Sequence, residues 1–346
     1  MKILITTTLL NRMGGVSSHY SGLQPFWSKD VKYFFIGPPK WRTIFLFIYL
    51  AKYIICILTF KPDIILLNPS MAKKAIFRDS LYLKIGKLLK CKIAIMFHGF
   101  HVESIKGKEI QITKLLNSCE IIFVLANSFK ETLVSWGVKT PIETTTTQVN
   151  DKLIENFNIN NRNGEIKNIL YLARVTKAKG IFIALDIFKK LSDKYPQLNY
   201  FVVGKGEDLD NAIDYANKLN IPQIQFMGGL KGKDVVEAYK NADLYLFTSY
   251  HEGMPTSVLE AMAFGLPIIT RPVGGLVDFF EDEKMGYLIN SDKAQDFIKA
   301  FDVLINDKEN VSRISTYNHK YATERFLASK VAPKMEQYLN ECLTII

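Results

Sequence analysis

The sequence predicts an α/β protein of two doubly wound domains, each a parallel sheet covered by helices on both faces. Three observations predict it. Apolar runs of strand length alternate with longer stretches of helical periodicity throughout the chain. Two such series flank an Asn-rich, almost wholly polar stretch at residues 158–165. The 346 residues also exceed what a single core usually organises. In the first series the strand runs are residues 3–7, 31–36, 64–67, 93–97 and 121–124, with helical stretches at 17–23, 72–89 and 128–136. In the second they are 169–172, 200–203, 225–227, 244–247, 267–269 and 287–289, separated by helices such as 181–191 and 234–241. The domains are expected at residues 1–160 and 161–324, with a last helix at about 325–346 packing back on the first. Ligands of open sheets bind beyond the carboxyl ends of the strands, so a cleft between the domains is the expected site.

Composition narrows the classes. With 48% hydrophobic and 23% charged residues, the chain is neither disordered nor fibrous. Its net charge of +10 is unevenly placed. Residues 1–150 carry 20 basic against 8 acidic residues, a balance of +12, which leaves 24 against 26, or −2, for the remainder. Such an asymmetry points to an anionic partner, nucleic acid or a membrane surface. The segment 72–92 interleaves Lys73, Lys74, Arg78, Lys84, Lys87, Lys90 and Lys92 with Ile76, Leu81, Leu83, Ile85, Leu88 and Leu89. That basic, amphipathic pattern favours a membrane. It lacks aromatic stacking motifs or a recognition fold, so no nucleic-acid partner is expected. Residues 43–60 are long and apolar enough to suggest a span, but Lys52 sits at the centre, costing roughly 2.5–3.5 kcal/mol. Because Tyr49, Lys52, Tyr53 and Cys56 share one helical face, a helix packed on a sheet or dipped into a membrane interface is preferred. The opening run lacks a signal-peptide pattern, and the four scattered cysteines form no CxxC pair. A cytoplasmic protein without zinc or disulfides is expected.

The chemistry concentrates in residues 248–275. An apolar strand feeds a loop with Glu252, then a helix with Glu260. Ser257-Val258-Leu259-Glu260 reads as a capping box and Gly265 as the helix stop. Glu260 is then either a cap alone or one of two carboxylates gripping sugar hydroxyls, beside a helix N-terminus suited to a diphosphate. With its flanks, this segment resembles the EX7E signature of family 4 glycosyltransferases: Glu252, Gly253, Leu259, Glu260, Ala261, Met262, Ala263, Gly265 and Pro267 match in register, as do Gly274-Gly275 and Gly286-Tyr287-Leu288. Pro255 stands where the family carries Gly or Pro; proline has no N–H, so a phosphate cradle must rely on the amides of Met254, Thr256 and Ser257.

Arg174 and Lys179, in Tyr171-Leu172-Ala173-Arg174-Val175-Thr176-Lys177-Ala178-Lys179-Gly180, resemble the family's G-R-x-x-x-x-K-G, with Ala173 in place of the first glycine. A cation pair after a strand end can neutralise a leaving diphosphate. Gly204-Lys205-Gly206 resembles the family's V-G-x-G, equally readable as a turn, and Phe226-Met227-Gly228 its F-L-G loop near the nucleotide base. Gly14-Gly15, after the first strand, is either a tight turn or a place where backbone approaches a ligand closely, and the resemblance implies a loop that borders the acceptor and the donor phosphates. His98, at a strand's carboxyl end, matches a family histidine that contacts the donor sugar.

The resemblance implies the GT-B fold of two Rossmann-like domains facing each other across a cleft. The first would bind the acceptor and the second the nucleotide sugar. It implies a retaining glycosyltransferase, a hexosyl- or N-acetylhexosaminyltransferase, acting with a nucleotide-sugar donor (UDP-linked above all) on a lipid-linked or glycan acceptor, in surface polysaccharide or O-antigen assembly. It implies no metal and no other cofactor, with catalysis by Glu252, His98, Arg174 and Lys179. Donor contacts would come from Gly15, Arg174, Lys179, Gly204, Met227, Gly253, Met254, Thr256, Ser257 and Glu260. The basic half would hold the protein peripherally on the inner face of the cytoplasmic membrane. A sugar-nucleotide epimerase of the same fold and a non-catalytic partner subunit are the alternatives. The first would not need the basic half, and the second would not need all four of Arg174, Lys179, Glu252 and Glu260.

Overall fold

A computed structural model describes residues 1–11, 14–36 and 43–344, apart from the side chains of residues 43–45. The chain divides into two compact units, one of Met1–Gln148 with Ala328–Ile346 and one of Val149–Leu327. The first unit runs β1 (Lys2–Thr7), α1 (Gly15–Leu23), β2 (Asp30–Phe35), α2 (Thr43–Phe60), β3 (Ile64–Leu67), β4 (Ser70–Met71), α3 (Lys73–Leu88), β5 (Lys92–Met96), β6 (Gly99–Phe100), α4 (Glu109–Leu116), β7 (Ile121–Val124), α5 (Asn127–Ser135) and β8 (Ile142–Thr144). Its main sheet has the order β2-β1-β3-β5-β7-β8, with every pairing parallel.

The second unit runs α6 (Asp151–Ile154), β9 (Asn168–Leu172), α7 (Ile181–Lys194), β10 (Asn199–Val203), α8 (Leu209–Leu219), β11 (Ile224–Gly228), α9 (Lys233–Asn241), β12 (Leu244–Phe247), α10 (Thr256–Ala263), β13 (Ile268–Thr270), β14 (Gly286–Leu288), α11 (Ala294–Ile305) and α12 (Lys308–Arg325). Its sheet, also parallel, has the order β11-β10-β9-β12-β13-β14. The last helix, α13 (Ala328–Thr344), belongs to the first unit, where the Glu336 carboxylate accepts hydrogen bonds from the Ser28 amide and hydroxyl and the Lys29 amide.

The parallel arrangement follows from composition. β3, β7 and β12 are unbroken apolar runs buried along their whole length, as strands covered on both faces must be. The edge strands β2 and β11 alternate between buried or half-buried and exposed positions instead. Each unit has its own core: Leu4, Tyr53, Ile65, Tyr82 and Ile95 in the first, Tyr171, Leu185, Phe188, Leu246 and Phe301 in the second.

Two stretches differ from what the sequence suggests. Residues 158–165 are not a free linker, because the chain passes between units at Gln148 and the polar stretch lies within the second. Arg162 explains its polarity. Its guanidinium donates to the carbonyls of Tyr239 at 2.9 Å, Lys240 at 3.2 Å and Phe264 at 3.0 Å, and to that of Ala242. One side chain thus satisfies the orphan carbonyls at the carboxyl ends of both α9 and α10. Burial pulls Arg162 down to about 10, still charged at neutral pH.

The second stretch is α2. Its tyrosine side faces inward, though Lys52, read on the same face, is exposed: Tyr53 is buried with its ring 4.9 Å from that of Tyr82 and 5.2 Å from that of Phe34. Phe47, Ile48, Ile55 and Leu58 are exposed on the other side, flanking Lys52. Aromatic edge-to-face packing recruits the tyrosine side to the core and leaves the aliphatic side outward. Among the described residues, no helix is long and apolar enough to cross a membrane.

Replacing Arg162 by Met strands four carbonyls at two helix ends. It should lower stability by on the order of 3 kcal/mol, read as a shift of the urea midpoint with an unchanged slope.

Candidate functional site

In an open parallel sheet, the crevice forms where strand order reverses, outside the carboxyl ends of the two central strands. In the second unit that point lies between β9 and β12. The loop after β9 carries Arg174 and Lys179, and the loop after β12 carries Glu252, Gly253 and Met254 ahead of α10.

Backbone geometry fastens these loops together. Gly180 adopts φ 72°, and a Cβ there would sit 2.1 Å from the carbonyl oxygen of Thr248. Only glycine permits both the conformation and the approach. The Thr248 hydroxyl donates to the Gly180 carbonyl at 2.8 Å, and the Tyr250 amide to the Ala178 carbonyl at 3.1 Å. From within β9, the Tyr171 hydroxyl donates to the Lys179 carbonyl at 2.8 Å. Lys179 is thereby delivered to Glu252. Its Nζ donates to Glu252 Oε1 in a close ion pair whose side chains are only 16% and 13% exposed. Arg174, on the same loop, is exposed and has no ion pair among the described residues. The site therefore holds one cation matched to a carboxylate and one uncommitted guanidinium.

The neighbouring glycine motif has a packing reason. A Cβ on Gly204 would lie 1.9 Å from the Ala173 carbonyl oxygen, because the loop after β10 runs directly against the loop after β9. Met227, at the end of β11, is 42% exposed one strand further out.

The capping box is corrected. α10 begins at Thr256, behind an N-cap Pro255 that makes no side-chain capping bond, so Ser257 is already the second helical residue. The helix starts two residues ahead of the Val258 start that a Ser257 cap would give, and Glu260 does not reach back to its end. Instead Glu260 accepts a 2.8 Å hydrogen bond from the Tyr239 hydroxyl. Burial pushes its carboxyl up to about 7, outweighing the Tyr239 bond, which favours the ionised form. The opening turn of α10, with Thr256 and Ser257, still presents the positive end of the helix dipole on the same side as Glu252 and Met254.

In the first unit strand order reverses between β1 and β3. After β1 come Gly14 and Gly15, after β3 comes Asn68, and after β5 comes His98. A Cβ at Gly15 would meet nothing within 4 Å, so packing does not demand glycine there. Asn68 organises the rest. Its amide nitrogen donates to the Thr6 carbonyl at 2.8 Å, which fixes its oxygen toward Tyr20 and His98. That oxygen accepts the Tyr20 hydroxyl and lies 3.0 Å from His98 Nε2. An amide oxygen only accepts, so His98 carries its proton on Nε2 and leaves Nδ1 bare. Burial pulls His98 down to about 4, which keeps the ring neutral at pH 7. Beside it the ring of His19, 5.2 Å away, is buried with neither nitrogen hydrogen-bonded among the described residues.

The structure thus brings Arg174, Lys179, Glu252, Gly253, Met254, Thr256 and Ser257 to one switch point, with Glu260 a turn further along α10. Gly15 and His98 belong to the corresponding region of the first unit. Tyr171, Thr248, Tyr239, Asn68 and Tyr20 position these groups, and no spacing in the sequence marks them.

Comparison with known proteins agrees with this fold. Anabaena HepE, solved in complex with UDP and glucose, superposes with a TM-score of 0.75 over 99% of this chain and 100% of that one, at 16% identity. The sucrose-phosphate synthase of Thermosynechococcus elongatus gives a TM-score of 0.75 over 98% of each chain, at 16% identity. The fold is GT-B. Residues 154–321, which hold the switch point of the second unit, match the family described as glycosyl transferases group 1. An uncharacterised glycosyltransferase of Haemophilus influenzae is 33% identical over 42% of this chain and 41% of its own length. The capsular polysaccharide biosynthesis glycosyltransferase CapM of Staphylococcus aureus is 26% identical over 68% of this chain and 61% of its own length. The chain spans about half the length of the curated relatives it matches.

Glu260 yields a pH signature. Its carboxyl, near 4.5 when unfolded, holds its proton up to about 7 in the folded state. Between those values the native state binds more protons than the unfolded one, so stability falls as pH rises, by roughly 1.4 kcal/mol per pH unit. Glu260→Gln should flatten that decline in melting temperatures recorded from pH 4.5 to 7.

Proposed function

We propose that this protein is a retaining glycosyltransferase that moves a sugar from a nucleotide-sugar donor, UDP-linked above all, to a lipid-linked or glycan acceptor in surface polysaccharide assembly. The observation that carries the reading is the Lys179–Glu252 contact beside Arg174 and the start of α10, within the segment that matches group 1 glycosyl transferases. HepE is described with UDP and glucose and CapM with capsular polysaccharide biosynthesis, which supports both the donor class and the setting.

In this mechanism the second unit holds the donor. Arg174 and Lys179 meet the negative charge that grows on the leaving diphosphate, and the α10 amides of Thr256 and Ser257, with Met254, complete a preorganised anion site. Lys179 turns from Glu252 to phosphate, and the released carboxylate of Glu252 accepts hydroxyls of the donor sugar. Glu260, steadied by Tyr239, accepts ribose hydroxyls. Gly204 and Met227 lie toward the base. In the first unit Gly15 leaves room for ligand, and the neutral His98 ring hydrogen-bonds the sugar without adding charge. No metal is required, because fixed cations and amides supply the charge. The outward apolar residues of α2 and the basic residues of α3 hold the first unit against an anionic membrane on the cytoplasmic side.

Incubation with nucleotide sugars and a lipid-diphosphate acceptor tests the reading. Transfer is expected; donor interconversion or silence with every donor would overturn it. Glu252→Gln should abolish transfer while leaving the melting temperature within a few degrees of wild type. Arg174→Ala and Lys179→Ala should each raise the barrier by on the order of 2–4 kcal/mol. Activity should survive EDTA, and a loss restored by Mg²⁺ or Mn²⁺ would refute the metal-free mechanism.

A further inference from the structure

The loop that follows β13 grips the loop that carries Glu252 at two places. At its far end Gly274 adopts φ 54°, and a Cβ there would sit 2.2 Å from the Gly253 carbonyl oxygen and 2.6 Å from that of Glu252. The Gly275 amide donates to the same Gly253 carbonyl at 2.7 Å. At its near end stands Arg271, whose guanidinium lies over the Tyr250 ring, 4.4 Å from the centroid. Glu252 is therefore bracketed: Tyr250 just before it and Gly253 just after it are both held by one neighbouring loop.

Arg271 is itself anchored further out. Its Nη1 donates to the Ser291 carbonyl at 2.7 Å and to the Asp292 carboxylate, in the loop after β14. The Ser291 hydroxyl in turn donates to Asp296, in the first turn of α11, at 2.6 Å. An ion pair with Asp292 does not by itself account for this arginine, because the Asp292 side chain is 71% exposed and such pairs add little. Arg271 is only 13% exposed, and the attraction of a guanidinium for a ring strengthens as water is removed. Tyr250 is exposed, so its ring is not there to fill the core. A planar guanidinium covers that ring while its edge donates to two acceptors, which an ammonium does not do.

We propose that Arg271 is a positioning residue for transfer: through the Tyr250 ring it fixes the loop after β12 so that the Glu252 carboxylate faces the donor sugar. The proposal rests on the glycosyltransferase reading and names the group that sets its geometry. Misplacing such a carboxylate by about 1 Å can cost on the order of a hundredfold in rate. The diphosphate contacts proposed for Arg174 and the α10 amides do not pass through this clamp. Its loss should therefore fall on turnover more than on donor binding.

Steady-state kinetics of the full chain, with the nucleotide sugar that the wild type turns over best and a lipid-diphosphate acceptor, test the role. Arg271→Gln and Tyr250→Leu should each lower kcat by roughly tenfold or more, with the donor KM within about threefold of wild type. The double variant should be no slower than the slower single one, since both break one contact. Tyr250→Phe, which keeps the ring, should restore kcat to within about threefold of wild type, and Arg271→Lys should not. An undiminished kcat in Tyr250→Leu, losses that multiply in the double variant, or a loss carried by KM alone would overturn the role. A wild type that transfers from no donor would instead overturn the glycosyltransferase reading. Melting temperatures would still read the clamp: Arg271→Gln and Tyr250→Leu should lower them non-additively, and additive shifts would show that the two side chains do not act together.

Discussion

The close approach of Gly180 to Thr248 is the constraint on which the second unit's site depends. Two loops that follow different strands, β9 and β12, meet there with no side chain between them. The meeting decides where Lys179 and Glu252 go, because each is only a few residues from the contact. Side-chain bonds then lock what the backbone allows: Thr248 to Gly180, Tyr171 to Lys179. A larger residue at position 180 would part the loops, and the ion pair with them, although neither charged residue had been touched.

The first unit answers the same topological problem with different chemistry. Where its sheet reverses there is no ion pair among the described residues but a neutral hub, Asn68, shared between Tyr20 and His98. The buried neighbour His19 and the depressed His98 keep positive charge out of that region, although the unit as a whole is strongly basic. The excess of lysine lies instead on helices such as α3. Basic surface and neutral hub thus serve separate ends within one unit.

Legibility in the sequence followed the strength of local signals. Long apolar runs such as Ile64–Leu67 and Leu244–Phe247 announce themselves because strands buried on both faces admit little else. Edge elements do not: β8 is three residues long and half-buried, and its pattern resembles a loop. Arg162 shows the limit of composition, since polarity read as a linker is in fact the carbonyl-satisfying cap of two distant helices. The candidate site was legible where chemistry and motif coincide, at Glu252, Lys179 and Arg174. The residues that orient them were not, because Tyr239 acts on Glu260 and Tyr171 on Lys179 through spatial neighbourhood alone. The helix starts at Thr256, two residues ahead of the start that the four-residue capping pattern at Ser257 implies, and no side-chain cap marks it.

The Lys179–Glu252 pair also bears on what the site ignores. A cation already matched to a carboxylate has little net attraction for a passing anion, since any newcomer must first uncouple the two. Orthophosphate could take the lysine but would strand Glu252 in a place only 13% exposed to water. A molecule bearing both a phosphate and hydroxyl groups re-pairs both partners at once. Under the proposed mechanism the pair would favour such bifunctional ligands over simple phosphates.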